Sequence, residues 1–244
     1  MSSSQSQFSD EELRFLVESL DSSSKAAVRK VVNKLVAAAA GGREVPEILR
    51  KALAHERERI RWGAAYALGQ IPNALEPSAL AALFEAIASA DGDVRWAAAE
   101  LIVRLGRTHR ENVRARILSS HEQGADEARK MALYIARDLD FRDREMLALA
   151  ARSLRSEVTG VRLAALSLLG RVDAPTELSL QAVIRCLESD PDLGVRRASA
   201  LMLGRCAGAC AAAAAALARA MRSQADPSLR RAAAQALTKL GHQR

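Results

Sequence analysis

An apolar residue followed at once by arginine, and then by a run rich in alanine and leucine, recurs seven times along the chain. The copies are Val28-Arg29, Ile60-Arg61, Val94-Arg95, Ala128-Arg129, Val161-Arg162, Val195-Arg196 and Leu229-Arg230, at intervals of 32, 34, 34, 33, 34 and 34 residues. So regular a period is the mark of a repeat array. Counted from each arginine at about 100° per residue, positions −1, +3, +6 and +7 collect Val, Ala, Ile and Leu in one stripe, so each run is expected to be a helix buried along it. Positions +1 and +5 point away from that stripe.

Between consecutive arginines there is room for a second helix and two short turns, since about 11 residues make an average helix and a few make a connection. These preceding helices are expected over residues 10–20, 46–54, 77–88, 111–119, 143–154, 177–187 and 209–222. Pro46 and Pro77 stand at two of the starts, where a missing N–H costs nothing. Ser9 with Glu12 three places on predicts a capping box, and Phe8 with Leu13 a hydrophobic staple across it. Ordered structure is expected to begin there, leaving the Ser/Gln-rich residues 1–7 as a disordered tail and one repeat domain over 8–241. The predicted fold class is all-α, a superhelical α-solenoid of about seven two-helix repeats.

Composition agrees with that picture. The 244 residues are 49% apolar but 3% aromatic, which excludes a centre filled with rings and suits helices packed closely through Ala and Leu. Lys and Arg number 36 against 29 Asp and Glu, a formal net charge of +7 that permits an acidic partner without demanding one. Cys186, Cys206 and Cys210 are an odd set without framework spacing, so a reducing, cytoplasmic location is expected. No stretch approaches the ~20 apolar residues of a membrane span and the first residues lack an export signal, so no membrane association is expected.

The stretches Ile60-Arg-Trp-Gly-Ala-Ala-Tyr-Ala-Leu-Gly69, Val161-Arg-Leu-Ala-Ala-Leu-Ser-Leu-Leu-Gly170 and Val195-Arg-Arg-Ala-Ser-Ala-Leu-Met-Leu-Gly204 resemble the second helix of HEAT-like repeats, of the short bacterial kind seen in phycobilisome-lyase relatives. The resemblance runs from about Phe8 to Leu240. It implies stacked hairpins whose second helices line a concave side, and it leaves function open among scaffolds, lyases, chaperones and nucleic-acid proteins. It also implies a ladder in which an acid in the turn within each hairpin pairs with the repeated arginine. Arg61, Arg95, Arg129, Arg162, Arg196 and Arg230, read as structural, have Glu58, Asp91 or Asp93, Asp126, Glu157, Asp192 and Asp226 just ahead of them. Arg29 has Ser22–Ser24 and Lys25 there instead, as a terminal capping unit would.

Read in order, the outward positions +1 and +5 hold Lys30 and Lys34, Trp62 and Tyr66, Trp96 and Glu100, Lys130 and Tyr134, Leu163 and Ser167, Arg197 and Leu201, Arg231 and Gln235. Both Trp and both Tyr of the protein stand in this row. Large amphipathic rings are the anchors that dominate interface energies, so Trp62, Tyr66, Trp96 and Tyr134 are expected to grip a partner. Lys130, Arg197 and Arg231, with Lys30 and Lys34, make the row basic apart from Glu100. The competing use of the rings is to fill grooves between adjacent repeats.

No Gly-rich phosphate loop, nucleophile elbow or zinc signature occurs in the sequence. His55, His109, His121 and His242 are scattered, and Cys206 and Cys210, one turn apart, lack a third ligand. No enzymatic activity, cofactor or metal is expected. The reading is a monomeric, non-catalytic scaffold that holds an acidic or helical segment of another protein on this aromatic and basic face. A second reading is nucleic-acid binding, because Trp96 with Glu100 one turn later resembles the concave Trp beside a carboxylate in HEAT-like bacterial alkylpurine DNA glycosylases. That resemblance implies that Glu100 would stabilise a cationic sugar. Arg104, Arg107, Arg110, Arg114 and Arg116 form a second basic cluster, read as a solvated connecting face.

Overall fold

Fourteen α-helices and no strand make up the described residues of the computed structural model, which are 8–40, 44–172, 176–205, 211–222 and 226–242. In order they are α1 (Asp10–Glu18), α2 (Lys25–Ala39), α3 (Glu44–Ala52), α4 (Glu58–Gln70), α5 (Leu80–Ala86), α6 (Gly92–Gly106) and α7 (Arg110–Gln123), followed by α8 (Asp126–Asp138), α9 (Arg144–Ser153), α10 (Thr159–Leu169), α11 (Glu177–Ser189), α12 (Leu193–Leu203), α13 (Ala211–Met221) and α14 (Pro227–His242). Odd and even members alternate as the first and second helices of seven hairpins, the arrangement of an α-solenoid. A 3₁₀ turn at Pro77–Ala79 leads into α5. The expected tail, residues 1–7, and the expected start of the last first-helix at residue 209 lie outside the described residues.

Helix starts follow the polar residues that precede them. Ser9 completes the capping box at α1: its N–H donates to Glu12 Oε2 at 2.7 Å and its hydroxyl accepts from the Glu12 N–H at 3.2 Å. Hydrogen bonds from the Ser9 backbone and then its hydroxyl hold the Glu12 carboxyl below the usual range. Ser24, Asp91, Asp143, Thr176 and Asp192 cap α2, α6, α9, α11 and α12 through their side chains in the same manner.

The stripe read from the sequence is the core. Ile60, Ala64, Ala67 and Leu68 of α4, and Val161, Ala165, Leu168 and Leu169 of α10, are all buried to within 1%. Position +3 is Ala64, Ala98, Ala132, Ala165 and Ala233 in five of the repeats, each within the core, but Ser199 in the sixth. Ser199 is fully buried and its hydroxyl has no hydrogen-bond partner among the described residues. Ser199→Ala is therefore expected to leave stability unchanged or raise it by about 1 kcal/mol, measured by urea unfolding, because an unsatisfied buried hydroxyl is a net cost.

Where the sequence reads as one uninterrupted array over 8–241, the structure gathers the chain into two units, one ending at Arg116 and the next beginning at Ile117. The boundary falls inside α7. Among the described side chains of that helix only Val113 and Ile117 are buried, an apolar seam of two residues where neighbouring helices bury four or more.

Candidate functional site

Three repeated arginines make the same pair of bonds to the turn behind them. Arg61 Nη1 donates to the carbonyls of His55 and Glu56 at 2.6 and 2.7 Å, Arg95 Nη1 to Ser89 and Ala90 at 2.7 and 2.9 Å, and Arg162 Nη1 to Ser156 and Glu157 at 2.9 Å each. Each guanidinium thus satisfies carbonyls left open at the end of the first helix. For Arg61 and Arg162 the carboxylate is a different residue from the expected one. Arg61 is held bidentately by Glu85 on α5, and Arg162 by Asp190 at the end of α11, at 2.8 Å to both oxygens.

For Arg61 and Arg162 the ladder therefore runs from one hairpin to the next rather than within a turn. Three of the turn acids are taken up by the unsatisfied N–H groups of the helix they precede. Asp91 accepts from the Asp93 N–H, Asp192 from Val195 and Asp226 from Ser228, all at 2.8 to 2.9 Å. Arg129 does meet Asp126, at 3.4 Å. Arg196 donates from Nε to the Leu187 carbonyl at 3.0 Å, and Arg230 is exposed.

With the arginines so placed, positions +1 and +5 come to the surface in both units. In the first, Lys30, Lys34, Trp96 and Glu100 are exposed and Trp62 and Tyr66 half-buried. In the second, Leu201, Arg231 and Gln235 are exposed and Lys130, Tyr134, Leu163, Ser167 and Arg197 half-buried. None of the fourteen is buried.

Trp62 and Tyr66, one turn apart on α4, lie with ring centroids 5.3 Å apart and planes tilted by 35°. They line a cleft of about 490 Å³ with Val28 and Arg29 of α2 and Val94 and Ala97 of α6. Where the starts of α2 and α6 face each other, Lys25 Nζ bridges Asp91 Oδ1 at 3.0 Å and Asp93 Oδ2 at 2.6 Å. The bonds to Asp93 and Asp91 raise the Lys25 ammonium above its usual value, and the same contact lowers Asp91. Neither Lys25 nor Arg29 is singled out for binding by the sequence. The signal lay in the first repeat's missing turn acid.

The remaining predicted residues fall elsewhere. Trp96, 54% exposed, and Glu100, also exposed, stand one turn apart on α6. In the second unit the Arg137 guanidinium sits 4.9 Å from the Tyr134 ring centroid. Lys130 pairs with Glu127 at 2.6 Å and Arg197 with Asp226 at 3.4 Å, so these two cations are already compensated. In the second basic cluster Arg104 donates to the Gly69 carbonyl, and Arg116 lies 5.6 Å from the Phe84 ring centroid.

Cys186 is buried, its thiol 3.8 Å from the Leu154 carbonyl, and burial, with a smaller push from Asp190, raises its pKa to about 11. In a Cys206→Ser, Cys210→Ser background, Cys186 is expected to stay unreactive toward an aromatic disulfide reagent at mildly alkaline pH until urea unfolds the protein. Cys206 and Cys210 lie outside the described residues. Among the described residues no group of three or more His, Cys, Asp or Glu is placed to hold a metal ion, and no helix is long and apolar enough to cross a membrane.

A family model for HEAT repeats matches residues 13–103 and 149–238, more than half of the chain. The chain belongs to the HEAT-repeat family. The stretch left between the two matches contains α7, where the units divide. Among solved structures, an archaeal HEAT-like repeats protein from Thermococcus onnurineus NA1 is 15% identical over 96% of this chain and 98% of its own, with a TM-score of 0.57, a likeness of fold. A designed armadillo repeat protein in complex with the peptide (KR)4 is 17% identical over 94% of this chain and 99% of its own, with a TM-score of 0.39. Comparison with curated proteins gives no significant match.

Proposed function

We propose that this HEAT-repeat protein is a non-catalytic scaffold, monomeric and cytoplasmic, that holds an acidic or helical segment of a partner protein on its +1 and +5 side chains. One observation carries the reading. A chain with 3% aromatic residues places both Trp and both Tyr on a row with no buried member, while the aromatics buried among the described residues are Phe84 and Phe141. Rings left wholly or half at the surface forgo part of the 1.5–3 kcal/mol or so that burying a large apolar side chain returns, a cost that a partner covering them recovers. Rigid aromatics on a preformed helix surface also lose little entropy on binding. The finer likeness to phycobilisome-lyase relatives rests on the repeat and brings no catalytic residue with it.

The test is affinity capture from lysate with crosslinking and mass spectrometry. A Trp62→Ala, Trp96→Ala variant that keeps its helical circular dichroism is expected to lose the captured protein, with affinity down by roughly 30-fold or more, the weight of one aromatic hot spot. Capture that survives both substitutions would overturn the proposal. So would salt-sensitive quenching of tryptophan fluorescence by a short DNA duplex, the signature of phosphate contacts.

A further inference from the structure

We infer that Arg29, which makes none of the ladder bonds of Arg61, Arg95 and Arg162, is the carboxylate-binding group of the Trp62–Tyr66 cleft, and that the cleft takes a segment of another protein in which Asp or Glu stands beside a bulky apolar side chain. The inference rests on the scaffold reading above and names its partner's chemistry. Arg61, Arg95 and Arg162 are engaged by turn carbonyls, and Arg61 and Arg162 by a carboxylate as well. Arg29 occupies the same repeat position, lines the cleft, is exposed, and makes no ion pair among the described residues.

Its helix is one-sided in charge. Lys25–Ala39 holds Lys25, Arg29, Lys30 and Lys34 and no acid. Lys25 is the first residue of the helix, where a cation opposes the helix dipole, and Lys30 and Lys34 repel each other across one turn. Among the described residues, Lys25 is the one cation of the four that has local compensation, from Asp91 and Asp93. Of the three cations that line the cleft, Lys25 pairs with Asp91 and Asp93 and Arg59 lies 3.9 Å from Asp21, which leaves Arg29 to face a ligand beside the two tilted rings.

The acids of the cleft limit what it can accept. Glu58 and Asp93 line it and are exposed, and a nucleic acid, charged at every residue, would bring phosphates against them as well. A protein segment confines its carboxylate to the α2 side and gives its apolar side chain to Trp62 and Tyr66. Bidentate capture by a guanidinium is the geometry Arg29 has free.

A random peptide library displayed on phage, selected on the full-length protein, tests this directly. Selection is expected to enrich peptides with Asp or Glu next to an aromatic or long aliphatic residue. The enriched peptide should bind an Arg29→Gln variant about fivefold more weakly, the effect of one exposed charge pair. Arg29 is exposed, so the variant's melting curve should match the parent's, and Trp62→Ala should abolish enrichment. Enrichment that depends on Trp62 but carries no acid, or acidic peptides that bind the Arg29→Gln variant equally well, would sink the inference and leave the scaffold reading standing. Absence of any Trp62-dependent enrichment would sink both. A short duplex that binds more tightly than the selected peptide, and is lost in the Arg29→Gln variant, would assign Arg29 to nucleic acid.

Discussion

Asp190→Ala is expected to cost about 3–5 kcal/mol of unfolding free energy, the penalty for stranding a buried charge. The Arg162 and Asp190 side chains are 7% and 4% exposed, and their two hydrogen bonds measure 2.8 Å. Asp190 also receives the Asp192 N–H at 2.9 Å, so its loss opens the turn into α12 as well. The remaining guanidinium would keep the Ser156 and Glu157 carbonyls but no counter-charge. The equivalent pair in the first unit provides the control. Arg61 and Glu85 are 21% and 39% exposed, and water screens them, so Glu85→Ala is expected to cost about 1 kcal/mol or less. Urea unfolding followed by far-ultraviolet circular dichroism measures both, and equal losses would mean that burial is not what gives the ladder its weight.

Gly204→Ala is expected to cost about 2–3 kcal/mol through overpacking. A methyl group there would stand 2.6 Å from the Cα and 2.7 Å from the Cβ of Ala236, so α14 itself would have to move. The backbone of Gly204, with φ at −68°, is ordinary, and the demand is purely for room. Gly69 and Gly170 occupy the same place in their repeats and differ in what they meet. At Gly69 the obstacle is Leu101 Cδ2 at 2.5 Å, the tip of a side chain that can turn. At Gly170 the next repeat comes no nearer than Arg205 Nη1 at 3.9 Å. A ranking of losses with Gly204 first and Gly170 last is the expected result of thermal melts on the three alanine variants.

Those glycines mark where a reading of the sequence runs out. The recurrent Leu-Gly at residues 69, 170 and 204 is plain in the sequence, yet whether each touches backbone, a side chain or little else depends on the neighbouring hairpin. The ladder follows the same logic. Position −1, the buried stripe and the outward row are properties of a single helix, set by its period, and Ile60, Ala64 and Leu68 fall where the wheel puts them. The partners of Arg61 and Arg162 lie 24 and 28 residues further on, in another hairpin, and an acid next to the arginine in sequence is a better cap for its own helix than a partner for the guanidinium. The division at α7 was equally hidden, since Arg110–Gln123 keeps the repeat's spacing while thinning its apolar face to Val113 and Ile117. Of the candidate surface, the rings were legible, whereas the cleft was not, because it needs Val28 and Arg29 from one repeat, Trp62 from the next and Val94 from a third.

The account stands on the claim that the two tryptophans form a working surface. Collisional quenching of their fluorescence by acrylamide, with and without a peptide selected on the protein, puts that claim to the test. Ready quenching in the free protein that falls when the peptide binds is the predicted result. Emission already shielded in the free protein, and unchanged by the peptide, would show rings serving as interior packing and contradict it.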